Sequence, residues 1–179
     1  MQKLSGREGL MWVMFLAIAT AMVVALSVQG GDSWMGRQAP ALALPDTDGN
    51  LVELDKLRDQ VVILNVYATW CGPCKMEIPD LASFHQRNRE KGRPVQLYGV
   101  VYESGPAAQA AADSSALGVN YPILMGSGPV FERYALRSYP TTIVVDTHGH
   151  IIARHEGLVD LQMLEDWTMA ALHHAGHHH

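Results

Sequence analysis

The 179-residue chain has only two cysteines, Cys71 and Cys74. Two thiols cannot build the multi-bridge scaffold that holds up small secreted domains. Nor can they supply four thiolates to a structural zinc. Charge is sparse as well: charged residues make up 17% of the chain against 48% hydrophobic, a balance that excludes disorder for most of it. Lys and Arg total 13 and Asp and Glu 18, a net charge of −5. No dense basic cluster stands out, which argues against nucleic acid as a partner. There is no internal repeat. The length fits one ordinary domain with residues to spare, long enough to bury a sizeable core.

Charge is missing altogether from Leu10 to Val28, a run of 19 residues. A helix of that length spans roughly 28 Å, close to the hydrocarbon thickness of a bilayer. Lys3 and Arg7 precede it and Gly30-Gly31-Asp32 follows, so the positive-inside rule places everything after about residue 30 outside the cytoplasm. The run exceeds the apolar region usual for a cleavable signal, and its best cleavage candidate, Ala25-Leu26-Ser27, is imperfect. No cysteine follows for a lipid anchor. An uncleaved anchor is the leading reading, ahead of a cleaved signal and of a buried core helix, which would show a polar stripe. The expected organisation is a cytoplasmic stub and anchor or signal over 1–29, a linker over 30–38, a domain over 39–172 and a histidine-rich tail over 173–179.

Within the domain, Ala41–Leu44 reads as a brief strand ending at Pro45. Asp48-Gly49-Asn50 is a turn signal before a short strand at Leu51–Glu53, and Asp55–Arg58 is a single helical turn. Val61–Tyr67 and Val95–Val101 are near-continuous apolar runs of the kind that form strands buried on both faces. Cys71 to about Arg89 is expected as a helix kinked by Pro79, and Pro106–Leu117 as another. Tyr121–Leu124 is extended, Gly126–Pro129 a loop and Val130–Leu136 a short helix. Thr142–Asp146 and His150–His155 form a hairpin around Thr147-His148-Gly149, and Asp160 caps a last helix through about Leu172. Helices between the early strands and a late hairpin imply a mixed sheet covered by helices.

The Cys71-Gly72-Pro73-Cys74 unit directly follows a buried strand and opens a helix. A thiol there faces unpaired N–H groups and the positive end of the helix dipole, which favour thiolate. Cys71, preceded by Trp70 in a loop, is expected to be exposed, and Cys74, one turn further in, more buried. Their spacing lets the sulfurs meet across one turn. Cys71 can attack a partner disulfide and Cys74 can resolve the mixed disulfide. Pro73 is tolerated in the first helical turn. Half of a metal site or a plain staple fits less well, since there is no second pair and so short a ring constrains the unfolded chain little.

Trp70-Cys71-Gly72-Pro73-Cys74-Lys75 resembles the active-site signature of the thioredoxin superfamily. Tyr139-Pro140-Thr141-Thr142 resembles the loop whose cis proline faces the two cysteines, and the match runs on through Ile143–Asp146, Gly149 and Gly157. Ala39-Pro40 to Asp48-Gly49, Asn65 in place of thioredoxin's buried aspartate, Cys74–Pro79 with Glu77, and an insertion over 92–138 resemble the membrane-anchored TlpA/ResA-like branch. The resemblance implies an α/β thioredoxin fold, a mixed central sheet flanked by helices. It also implies an N-terminal strand extension, a central insertion and one preceding transmembrane helix. It implies a thiol–disulfide oxidoreductase whose substrate-binding or tuning residues are Trp70, Gly72, Pro73, Glu77, Tyr139 and Pro140 around Cys71 and Cys74. The Gly72-Pro73 dipeptide, thioredoxin's own, leans towards a reductant. Glu77, at i+3 from Cys74, could take over proton transfer or be an exposed helix residue. Tyr139-Pro140 taken alone fits a trans proline at a strand start. The resemblance instead implies a cis bond that brings the Tyr139 backbone beside Cys71 for pairing with an extended substrate segment.

The histidines His173, His174, His177, His178 and His179 could bind metal or form a solvated or artificial tail, though not a regular six-histidine tag. His85, His148, His150 and His155 are spaced like surface residues, and no metal ligand set is assigned. Trp12, Trp34 and Trp167 read as packing or interface residues. The expectation is therefore an extracytoplasmic, inner-membrane oxidoreductase with no cofactor beyond the redox-active Cys71–Cys74 pair. Its partners would be protein disulfides of cytochrome c maturation or copper-site cysteines, and a membrane electron donor. A copper carrier using the cysteines and histidine tail, or a disulfide-forming oxidant, is the alternative.

Overall fold

The computed structural model describes residues 12–20, 22 and 34–174, His174 by its backbone alone. The chain divides into two units, Met1–Ser33 and Trp34–His179. In the first, residues 12–20 are helical and Trp12, Phe15 and Ile18 are exposed. Among the described residues no helix is long and apolar enough to cross a membrane. The expected anchor over Leu10–Val28 lies largely outside the described residues, as does most of the histidine-rich tail.

The second unit is an α/β domain. Its elements are β1 (Ala43–Pro45), β2 (Leu51–Glu53), a 3-10 turn (Leu54–Leu57), β3 (Val61–Tyr67), α1 (Gly72–Glu90), β4 (Val95–Val101), α2 (Ala107–Ala116), β5 (Ile123–Met125), α3 (Gly128–Arg133), β6 (Thr141–Val145), β7 (Ile151–Glu156) and α4 (Leu161–His174). Five strands form a mixed sheet in the order β5-β4-β3-β6-β7, with β1 and β2 as a separate pair. β3 pairs in parallel with β4 and antiparallel with β6, so the carboxyl end of β3 and the amino end of β6 lie at one edge of the molecule. All seven residues of β3 are buried, as its apolar run predicts for a central strand.

The period-2 alternation of β3 divides the core. Val62, Leu64 and Val66 point to one face with Leu44, Leu54, Val130 and Tyr134. Val61 and Ile63 point to the other, against Leu81 and Phe84 of α1 and Leu164 and Ala171 of α4. Residues 34–38, expected in a linker, are held to β7: the Gly36 N–H donates to the Ile151 carbonyl at 2.8 Å and Gln38 bridges His150. Trp34 stacks on Tyr134 at 6.5 Å beneath the Arg154 guanidinium. The late hairpin turns because Asp146 Oδ1 accepts the N–H groups of His148 and His150. Gly149 closes it at φ 87°.

Most boundaries move by one to three residues from the sequence expectation, and two of the shifts have a clear local cause. α3 starts at Gly128, inside the expected loop, because Pro129 fits the first helical turn, where no N–H is needed. β5 is shifted to Ile123–Met125, its register set by pairing with Gly99–Val101 of β4. α1 runs through Pro79, and Asp160 Oδ1 accepts the Met163 N–H at 2.8 Å as the expected cap of α4.

Phe84 is fully buried between α1 and the sheet. Phe84→Ala is expected to destabilise the domain by about 3–5 kcal/mol. Truncating Met76, which is 70% exposed, should change stability by less than about 0.5 kcal/mol. Denaturant titration of both variants checks the contrast.

Candidate functional site

The buried strand β3 delivers the chain to the site. After Tyr67, Ala68 stays buried and its carbonyl accepts the Cys71 N–H at 3.1 Å, so the chain turns sharply into α1. Cys71 is the N-cap of α1, with extended backbone (φ −74°, ψ 116°), and its Sγ accepts the Cys74 N–H at 3.2 Å. The two cysteines form a disulfide with Cα atoms 5.3 Å apart. Gly72 and Pro73 lie on the exposed first turn, and Pro73 withholds no N–H that the helix needs. A thiolate released at Cys71 would sit where a helix N-terminus stabilises negative charge.

The expected exposure of Cys71 is not met. Cys71 is 6% exposed and Cys74 fully buried. Both pack with Tyr67, Ala68, Val101 and Ala110, and Tyr139 packs against that group. The exposed residue is Trp70, at 59%. It does not hang free. Its Nε1–H donates to the Glu103 carbonyl at 2.9 Å, and its ring meets Tyr139 edge-on at 6.0 Å.

The Tyr139–Pro140 peptide bond is cis. Thr141 Oγ1 donates to the Ser138 carbonyl and the Gly157 N–H to the Pro140 carbonyl, both at 2.8 Å, which pins the loop at the start of β6. Tyr139 contacts Phe131 at 5.7 Å and Tyr102 at 6.3 Å, and Tyr102 stacks on Phe131 at 4.7 Å. Burial, with Glu103 and Tyr102 adding, pushes the Tyr139 hydroxyl up to about 12, so it stays neutral at physiological pH. The result is an aromatic wall beside the disulfide.

Glu77 is buried, 2% exposed, one turn beyond Cys74. Its placement rules out the exposed-residue reading. Oε1 accepts from Asn65 Nδ2 at 2.7 Å and Oε2 from the Val159 N–H at 3.1 Å. The other Asn65 amide contact goes to Thr142 Oγ1 at 3.1 Å, and Asn65 Oδ1 has no hydrogen-bond partner among the described residues. Burial pushes the Glu77 carboxyl up to about 7, against the two hydrogen bonds that favour its charged form. A carboxyl poised near neutrality on the same helix face as Cys74 can hold or release a proton there.

Trp70, Gly72, Pro73 and Cys74 adjoin Cys71 along the chain, Tyr139 packs against the cluster that holds both cysteines, and Glu77 shares the buried face of α1 with Cys74. Sequence reasoning named Thr142 only within the proline loop, without its contact to Asn65, which strand pairing sets opposite it; it missed Val159, Tyr102 and Phe131, which come from loops and from α3. Among the described residues no three His, Cys, Asp or Glu side chains are grouped to hold a metal. His155 faces Trp167 and the Leu158 carbonyl, and His150 lies beside Asp146.

The AhpC/TSA family model matches residues 35–154. The thiol-disulfide oxidoreductase ResA of Halalkalibacterium halodurans is 33% identical over 134 residues, 74% of either chain. ResA of Bacillus subtilis is 29% identical over 163 residues, 90% of this chain and 89% of that one. The crystal structure of a thioredoxin-family thiol:disulfide interchange protein from Chlorobium tepidum has the same fold. It superposes with a TM-score of 0.68 at 22% identity, over 79% of this chain and 99% of that one.

The raised Glu77 carboxyl has a stability consequence. Between its ordinary value of 4.5 and about 7, the folded state binds more protons than the unfolded state, so its contribution to stability falls as pH rises through that window. Relative to Glu77→Gln, the oxidised wild type should lose roughly 3 kcal/mol between pH 4.5 and pH 8. Denaturant titrations at the two pH values measure the difference, and a difference independent of pH would mean that Glu77 titrates as an ordinary carboxylate.

Proposed function

The chain belongs to the AhpC/TSA family, as a thiol–disulfide oxidoreductase of the ResA/DsbE type, and from that membership we propose that it is an extracytoplasmic reductant of protein disulfides. The observation that carries the reading is the Cys71–Cys74 disulfide at the N-cap of α1, with a buried carboxyl one turn behind it. In the reduced protein the Cys71 thiolate attacks one sulfur of a partner disulfide, and the partner's other sulfur leaves as a thiolate. Cys74, giving its proton to Glu77, then attacks Cys71 Sγ and expels the second partner thiolate. Two partner thiols form, and Cys71–Cys74 closes as the disulfide.

Trp70 and Tyr139 line the approach, and the backbone beside Pro140 offers an extended substrate segment its pairing groups. The apolar run Leu10–Val28 supports a membrane anchor with the domain on the outer side. The Bacillus subtilis ResA alignment, covering 90% of the chain, reaches into that run. In an oxidising compartment the dithiol needs continual re-reduction. With no third cysteine in the chain, the electrons come from a membrane partner. Cysteines of apocytochrome c or of copper sites are the substrates that this reading favours.

The reduction potential of the Cys71–Cys74 couple is the deciding measurement. A reductant should equilibrate with dithiol buffers below about −200 mV, whereas a value near about −120 mV would make the protein an oxidant. Cys71→Ser should reduce turnover of a test protein disulfide to background. Cys74→Ser should accumulate a mixed disulfide with the substrate through Cys71, visible by non-reducing electrophoresis. Tight Cu(I) binding that needs both cysteines, with no disulfide reduction by the wild type, would identify a copper carrier instead.

A further inference from the structure

The turn between β4 and α2 reaches across to the two residues that precede Cys71. Ser104 Oγ accepts the Thr69 N–H at 3.0 Å and donates to the Tyr102 carbonyl at 2.9 Å. The Glu103 carbonyl accepts the Trp70 indole N–H at 2.9 Å. Tyr102 is itself fixed, because its N–H donates to the Tyr67 carbonyl at 2.9 Å, one step beyond the β3–β4 ladder. Two residues of the turn lie in the left-handed region, Glu103 at φ 48° and Gly105 at φ 78°. For the glutamate, unlike the glycine, this conformation is unfavourable. The carbonyl of this non-glycine residue in a left-handed conformation thus holds a tryptophan whose larger part faces solvent.

We propose that this turn is a positioning device for substrate selection, in which Ser104, through Thr69 and the Glu103 carbonyl, holds Trp70 at a fixed angle beside the nearly buried Cys71. The inference rests on the redox reading of the Cys71–Cys74 pair and deepens it. With Cys71 6% exposed, a partner reaches the sulfur only past Trp70 and the Tyr139 edge. Trp70, 59% exposed, therefore offers a preset apolar surface to the residues flanking a substrate cysteine. Holding the indole in place before binding spares the ordering cost of a large side chain on association. The substrate class that benefits is a polypeptide segment with apolar or aromatic residues beside its disulfide. A small soluble disulfide, which makes no use of the Trp70 face, gains nothing.

The test compares wild type, Ser104→Ala and Ser104→Thr in the full chain, each with a peptide disulfide flanked by aromatic residues and with a small aliphatic disulfide. Loss of one neutral hydrogen bond of about 1 kcal/mol corresponds to about fivefold. Ser104→Ala is expected to raise KM for the peptide about fivefold with kcat kept, and to leave the rate with the small reagent and the reduction potential unchanged. The Trp70 indole proton should exchange faster with solvent by NMR. Ser104→Thr, which retains the hydroxyl, should restore the peptide KM. Equal losses with both substrates, an unchanged peptide KM, or no rescue by threonine would overturn the proposal. A wild type inactive on both disulfides would instead overturn the redox reading itself, so the two failures are distinguishable.

Discussion

The hydrogen bond from the Cys74 N–H to Cys71 Sγ, 3.2 Å long, ties the chemistry of the pair to the geometry of the fold. It forms only if Cys71 is the N-cap of α1, which requires the chain to leave β3 and enter the helix within four residues. The burial of β3 at all seven positions holds the near side of that junction. Leu81 and Phe84, fully buried against the sheet, hold the far side by fixing α1 in rotation. The sulfur thereby occupies the place of a capping side-chain oxygen. In the reduced protein the same N–H group and the helix dipole would stabilise its negative charge.

The rotation of α1 also decides the fate of Glu77. Cys74, Glu77, Ile78, Leu81 and Phe84 share the inward face. Anchoring that face with Leu81 and Phe84 therefore draws a carboxylate under the sheet with the resolving cysteine. Desolvation alone would raise its pKa further. The Asn65 amide and the Val159 N–H answer it in part and leave it at about 7. Asn65 can do this without adding charge, whereas an aspartate at that position, 2.7 Å from a second carboxylate, could not be ionised together with it. The asparagine and the glutamate are thus one arrangement rather than two separate features.

What could be read from the sequence followed the range of the interactions. The two central strands, the helix behind the cysteines and the late hairpin declare themselves through local patterns. These are β-branched runs, a capping position, and an Asp146 side chain that serves the turn it precedes. The resemblance carried the cis Tyr139–Pro140 bond, for which the residues alone favour trans. The burial of Cys71 is not legible locally, because a loop position and an N-cap say nothing of Tyr139, nearly seventy residues away in sequence, which packs against the cluster that holds both cysteines. Val159 and Ser104 escaped for the same reason. Each acts through a backbone or hydroxyl contact made across long sequence separation, and no local periodicity encodes such a contact.

The site therefore joins two opposed demands. A sulfur that is to attack a partner must be reached, yet the helix terminus and the buried carboxyl act strongly only where water is largely excluded. The fold meets both by separating the roles. The sulfurs and Glu77 stay inside, where the amino end of α1 faces Cys71 and the Asn65 amide holds the Glu77 carboxyl. On the proposed reading, contact with the partner falls to Trp70 and the aromatic wall of Tyr102, Phe131 and Tyr139. On that reading, reactivity depends on β3 and α1, and recognition on the β4–α2 turn, on α3 and on the loop before β6, all outside the strands. On the same proposed reading, changes in those segments alter which disulfides are accepted while leaving the thiol chemistry intact, because among the described residues no hydrogen bond to Glu77 and none to the Cys71 sulfur originates there.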